Sequence, residues 1–291
     1  MKRLLTLTLL FLLVGLPAAS AQDESRLREE VAFLSDSLFA GRGFGTPAAQ
    51  GVSFYLLRQF KDMGLRTSVQ SFREGKGAGH NVIGVTPGWF RSYIVVGAYY
   101  DGLGTIGGKF FPGADANASG VAALLSLAGS LKDLCTREVG LIFVAYDGHC
   151  ASLSGSRAFK VWVDERYKVE MVVNLDILGS TAAPLHKGRE DYLIALGGSS
   201  QRFALENANR EPGLDLAYDY YSSRNFTDLF YKKISDQRWF VEAGVPSLMF
   251  TSGITMNNNK PYDDASTLNY PVFRKRIYLI FHWLEVLIRH K

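Results

Sequence analysis

Cysteine is nearly absent from this chain of 291 residues, which carries only Cys135 and Cys150. Between them runs Val139-Gly140-Leu141-Ile142-Phe143-Val144-Ala145-Tyr146, which reads as one buried strand. Eight extended residues span roughly 26 Å. The two thiols therefore fall near opposite ends of that strand, beyond the limit of about 7 Å between Cα atoms for a bridge, and are expected to be free. An excess of one charge is lacking too. The net charge of +4 drops to +2 without Lys2 and Arg3, which gives no electrostatic case for a nucleic-acid partner. The basic run Arg274-Lys275-Arg276 lies on a predicted C-terminal helix and reads as a solvated helix face.

Long apolar runs are confined to the N-terminus, where Lys2 and Arg3 precede Leu4 to Leu16 and the small residues Ala19-Ser20-Ala21. The pattern is that of a secretory signal peptide over residues 1–21, too short for a membrane span and followed by no Cys that would accept a lipid. The expectation is an exported protein, periplasmic or secreted, with no membrane span after cleavage. Internal repeats, low-complexity tracts and linkers rich in Pro, Ser or Gly are also missing, so 22–291 reads as a single domain.

What the chain does have is periodicity. Ser25 to Leu34 and Gln50 to Met63 have helical spacing, separated by a loop at Ala40 to Pro47. Thr67 to Phe72 alternates, Gly75 to Gly79 interrupts, and Asn81 to Val85 resumes an extended run. From Ser92 on, apolar runs alternate with helical segments. Strands are predicted at Tyr93–Ala98, Val139–Tyr146, Met171–Leu175, Tyr192–Leu196 and Ser247–Thr251. Helices are predicted at Ala118–Leu131, Ser154–Val163, Gln201–Asn209, Asp236–Ala243 and Pro271–His290. The fold class is α/β, with a mixed, largely parallel central sheet and helices on both faces.

In such sheets ligands bind beyond the carboxyl ends of the strands. Three predicted strand ends there offer Tyr99, Tyr100 and Asp101; Asp147, His149 and Cys150; and Asp176. Carboxylate, imidazole and thiolate all bind zinc, but the spacing is not specific. Neighbours on an extended chain point to opposite sides, so His149 and Cys150 would need a turn to reach one ion. A partly buried Cys beside a hydrogen-bonded His is the plainer reading of the pair. Pro112 to Leu125 leads a Gly-containing loop into a helix start, which by itself is a cap with close backbone packing.

Val95 to Asp101, Pro112 to Leu125, Phe143 to Phe159 with Leu153-Ser154-Gly155-Ser156-Arg157 inside it, Val173-Asn174-Leu175-Asp176 and Asp263-Asp264 together resemble metallopeptidase family 28, the two-zinc aminopeptidases and related carboxypeptidases. Leu38 to Thr46 and Gly244-Val245-Pro246 extend the resemblance. It implies a zinc exopeptidase-like fold and a fixed ligand set against which this chain can be compared. Tyr99 takes the place of the first His ligand, with the supporting carboxylate kept as Asp101. Ala116 stands where a carboxylate bridges the zincs. His149 stands at the general-base position and Cys150 at the ligand glutamate beside it. Asp176 keeps its ligand position, and Asn259 takes the place of the last His. The resemblance places Asp115, Gln237 and Trp239 near the cleft, Gln237 lying in a Ser-Asp-Gln segment where the family has Ser-Asp-His. Tyr220 and Tyr221 are placed nearby.

A methyl group cannot bridge two cations, and two zincs without a bridging anion repel strongly. The single-zinc arrangement of the glutaminyl cyclases, which share the fold, falls on Ala116, Cys150 and Asn259, so it is lost as well. The leading expectation is a catalytically degenerate member with no confidently expected cofactor, its cleft kept for a peptide, glycan fragment or other ligand. The alternatives are an active metalloexopeptidase whose zinc is held by Asp176, Cys150 and Asp115 or His149, and metal-free catalysis by Cys150.

Overall fold

A computed structural model of the chain describes residues 23–290, so the signal peptide expected over residues 1–21 lies outside the described residues. Helix α1 (Glu24–Leu34) starts where the Asp23 carboxylate accepts the Ser25 N–H, and α2 (Pro47–Asp62) starts on a Thr46 cap with proline in its first turn. Strands β1 (Arg66–Glu74) and β2 (Gly77–Val85) form a hairpin, followed by β3 (Ser92–Tyr99) and the small hairpin β4 (Thr105–Ile106) and β5 (Lys109–Phe110). Then come α3 (Gly120–Leu131), β6 (Val139–Tyr146), α4 (Ser154–Asp164), β7 (Val169–Leu175), β8 (Tyr192–Leu196), α5 (Arg202–Ala208), β9 (Asp215–Tyr218), α6 (Arg224–Lys232), α7 (Arg238–Glu242), β10 (Ser247–Thr251) and α8 (Tyr270–Arg289).

Eight strands form one sheet in the order β1-β2-β6-β3-β7-β10-β8-β9. Its centre, β6-β3-β7-β10, is parallel throughout, while β1/β2, β2/β6 and β10/β8 are antiparallel. The mixed, largely parallel sheet expected from the sequence is therefore what forms. Alternation along β3 shows why both faces are covered. Ile94, Val96 and Ala98 pack into a large apolar cluster with α1, α2, α3 and α8, whereas Tyr93, Val95 and Tyr99 pack opposite with Phe159 and Val163 of α4 and Phe240 of α7. Tyr99 thus belongs to the α4–α7 side, and that side holds the cleft.

Several expectations shift. The break expected at Gly75 to Gly79 narrows to a turn, because β2 already begins at Gly77. A Cβ on Gly77 or Gly79 would lie 2.4 or 2.3 Å from the Phe44 or Phe72 ring, so these glycines admit aromatic packing rather than end the strand. The loop at Ala40 to Pro47 follows a 3-10 turn, Ser37–Arg42, with Ala40 and Gly41 in left-handed conformation. β9 and α6 were not anticipated: β9 is a half-buried edge strand without an apolar run, and α6 buries only Thr227 and Phe230. The basic run on α8 is not uniformly solvated. Arg276 is fully buried and donates to the carbonyls of Leu178, Ser180 and Tyr192, while Lys275 pairs with Asp191 at the surface. Cys135 and Cys150 are free, as expected. No described helix is long and apolar enough to cross a membrane.

Candidate functional site

The carboxyl ends of β3, β6 and β7 converge, and one carboxylate shapes the convergence. Asp101, just past β3 and fully buried, accepts the backbone N–H of His149 at 2.9 Å and of Cys150 at 3.0 Å, one on each oxygen. The chain after β6 therefore turns back. His149 and Cys150, which an extended chain would send to opposite sides, both line the same cavity. Gly155, at the start of α4, lets that turn close: a Cβ there would sit 1.9 Å from the Asp147 carbonyl oxygen.

His149 is held from two directions. Its Nδ1 lies 2.8 Å from Oδ2 of Asp236, whose side chain is completely buried, and its ring stacks on Tyr99 with centroids 3.7 Å apart and planes inclined by 12°. Oδ1 of Asp236 has no hydrogen-bond partner among the described residues, so this carboxylate is directed at His149 alone. Asp236 comes from the segment leading into α7, 87 residues on from His149. The sequence placed that segment near the cleft but gave no signal of the pairing.

Asp176, at the end of β7, accepts the Ser235 hydroxyl at 2.9 Å and is buried. Asn117 ties the strand ends together, donating to the carbonyls of Tyr99 and Leu175 and accepting the N–H of Ile177 and Gly120. Asp263 anchors the loop before α3 by accepting the N–H of Asp115 at 2.8 Å and of Ala116 at 3.1 Å. Ala116 thereby reaches the cavity wall.

The cavity is about 410 Å³ and brings together Tyr99, Ala116, His149, Cys150 and Asn259, five of the positions singled out from the sequence. The three side chains proposed as cleft residues are placed elsewhere. Asp115 is buried and turned away, accepting the N–H of Gly179 at 2.8 Å and of Ser180 at 3.1 Å. Gln237 is buried between Asn174 and the Tyr231 carbonyl, and Trp239 donates to the Leu153 carbonyl; neither lines the cavity. Asp115 and Gln237 are drawn inward by buried backbone N–H and amide groups that need partners. Tyr220 and Tyr221 line a separate cavity beside His186. Lys233, Arg238 and Lys260 also line the main cavity; Arg238 lies in the segment already placed near the cleft, whereas Lys233 and Lys260 carry no sequence signal that would have found them.

Burial and charge set the protonation states. Burial disfavours a charged ring at His149, but the charge and hydrogen bond of Asp236 outweigh it and raise the imidazole to about 9. At neutral pH it is an imidazolium, with no lone pair to take a proton. Cys150 is exposed on the cavity side; crowding by the surrounding protein, and then the Asp101 carboxylate, push its thiol up, which disfavours the thiolate. Burial lifts Asp101 to about 7, with repulsion from Asp147 adding to it, and lifts Asp176 to about 6. No three His, Cys, Asp or Glu side chains among the described residues are grouped as a metal site requires.

Residues 81–284 match the sequence profile of peptidase family M28. The alkaline phosphatase isozyme conversion protein of Escherichia coli strain K12 is 31% identical over 217 residues, 62% of this chain; the match spans 61% of that protein's length. Among solved structures, the LapA aminopeptidase of Legionella pneumophila superposes with a TM-score of 0.74 at 16% identity, over 93% of this chain and 74% of that one. BSAP, a zinc aminopeptidase from Bacillus subtilis, gives 0.73 at 14% identity over 91% and 95% of the two chains. The glutaminyl cyclase of Fimbriiglobus ruber gives 0.70 at 17% identity, again over 91% and 95%. At such identities these superpositions speak for a common fold.

Proposed function

This chain belongs to peptidase family M28, and from that premise we propose that it is an exported member that does not hydrolyse peptides by the two-zinc route and keeps its cleft for binding. The observation that carries the reading is the stack of Tyr99 on His149. The family resemblance gives these positions to the first zinc ligand and to the base that activates the metal-bound water. Here the two rings are in van der Waals contact at 3.7 Å, with no room for an ion or a water between them.

The donors around that stack do not fit a pair of zincs. Ala116 offers a methyl group at the bridging position, and Asn259 offers a neutral amide. Both oxygens of Asp101 already accept backbone N–H groups, and Asp176 accepts Ser235. The alternative of one zinc on Asp176, Cys150 and Asp115 or His149 is opposed by the same geometry. Asp115 is spent on Gly179 and Ser180, and the His149 ring is stacked face to face on Tyr99 with Nδ1 taken by Asp236. Metal-free attack by Cys150 fails on its protonated thiol and on a neighbour that cannot take the proton.

Hydrolysis assays test the reading. Incubated with L-leucine p-nitroanilide and with a pentapeptide bearing a free amino terminus, the protein is expected to release no N-terminal residue above the rate without protein, whether or not zinc is added. Zinc-dependent turnover would falsify the proposal.

A further inference from the structure

The wall of the cavity selects one kind of ligand. Lys233 and Arg238 approach from either side of the α6–α7 turn, and Lys260 comes from the loop after β10. Among the described residues no Asp or Glu lines the cavity. The carboxylates beneath its floor are turned to protein donors: Asp101 to the His149 and Cys150 N–H groups, Asp236 to the His149 ring, Asp176 to Ser235. Glu242 lies behind the rim, 3.0 Å from Arg238 and 3.5 Å from Lys233, and offsets one of the three charges. Lys260 makes no ion pair among the described residues.

A free ammonium entering this space meets cations and no charged acceptor, and its desolvation goes uncompensated. A carboxylate meets a lining that carries three cationic side chains able to donate charge-assisted hydrogen bonds. The rest of the lining includes Leu103, Phe111, Leu153 and Ile234, so the body of the ligand is apolar, and the cavity volume lies within the usual range for small-molecule sites.

We propose that the cleft binds a small carboxylate with an apolar body, of the kind presented by an N-blocked peptide or acylamino acid, its carboxylate held at the rim by Lys260, Lys233 and Arg238. The assignment rests on the reading of the cleft as a binding site. It reverses the polarity expected of an aminopeptidase, whose substrate presents a free amino terminus.

Isothermal titration calorimetry on the full-length mature protein tests it with four probes: N-acetyl-alanyl-phenylalanine, the same peptide as its C-terminal amide, alanyl-phenylalanine amide with a free amine, and inorganic phosphate. The acid is expected to bind at least about ten-fold more tightly than the acetyl amide, and the free-amine amide most weakly. In the Lys233→Met/Lys260→Met double variant, which keeps Arg238, the acid should lose most of its advantage over its amide while the melting temperature stays within about 2 °C, since both lysines are exposed. Rising salt should weaken the acid and leave the amides unaffected. Equal binding of acid and amide, no binding of the acid to cooperatively folded protein, full affinity in the double variant, or binding of inorganic phosphate in place of the peptide acid would each overturn the proposal. Failure here leaves the absence of hydrolysis standing, whereas zinc-dependent hydrolysis removes the binding-only reading and leaves the preference for acid over amide to be read separately.

Discussion

Titration of the His149 ring, followed by the chemical shift of its Hε1 proton, is expected to centre near pH 9, against an ordinary imidazole value of 6.5. In Asp236→Asn, which keeps the shape of the partner and removes its charge, the midpoint should fall toward or below 6.5, because burial then acts on the ring with less opposition. Stability follows by linkage. The folded protein holds this proton where the unfolded chain releases it, so the stabilisation is complete below pH 6.5 and is lost as pH rises through 9. A shift of that size corresponds to at most about 3 kcal/mol. Asp101 and Asp176 act in the same direction for a different reason. Their values are raised from 3.8 to about 7 and about 6, so the folded state keeps protons that the unfolded chain gives up above pH 3.8, and stability falls as pH climbs through those values. Melting temperature should therefore decline from mildly acid to alkaline pH, with a shallower alkaline limb in His149→Gln. A wild-type midpoint near 6.5 would mean that Asp236 does not control the ring and that His149 is free to act as a base.

The second large effect concerns Arg42, a fully buried guanidinium that donates to four backbone carbonyls, those of Leu34, Tyr100, Pro112 and Gly113. These belong to the end of α1, the end of β3 and the loop before α3, so one side chain joins the three segments behind the cleft. Arg42→Met removes the arginine donor from the buried Leu34, Tyr100 and Pro112 carbonyls, Gly113 keeping the Ala118 N–H, and is expected to cost about 4 kcal/mol or more, read from urea unfolding. Arg42→Lys should recover only a minor part, since an ammonium has three donors and no planar fork to span such spread acceptors. A loss under about 1 kcal/mol in Arg42→Met would show that water satisfies the carbonyls and that the segments hold together without the arginine.

Much of this architecture was legible because the central strands are buried on both faces. Val139–Tyr146, Tyr192–Leu196 and Ser247–Thr251 announce themselves as uninterrupted apolar runs, and the observed strands coincide with the sequence reading residue for residue. β9 and α6 escaped because they lie at the sheet's edge and bury too little to leave a pattern. The site divided the same way. Its location at the ends of β3, β6 and β7 followed from where strands stop, and Tyr99, Ala116, His149, Cys150 and Asn259 do meet around one cavity. Which side chains face that cavity did not follow, because orientation depends on long-range partners. Asp115 is turned by backbone N–H groups about 64 residues away, and Gln237 by Asn174 from a neighbouring strand. The pairing of Asp236 with His149 and the basic rim of Lys233, Arg238 and Lys260 emerge only once the chain is folded.

The central claim is that the positions resembling a two-zinc centre here hold none. It is met most directly by counting zinc, with inductively coupled plasma mass spectrometry, in protein produced in zinc-supplemented medium and dialysed without chelator. With Tyr99 and His149 in contact and Ala116 unable to bridge, zinc well below one equivalent per chain is the predicted result. Two equivalents, or one that survives dialysis and is lost in Asp176→Asn, would contradict it.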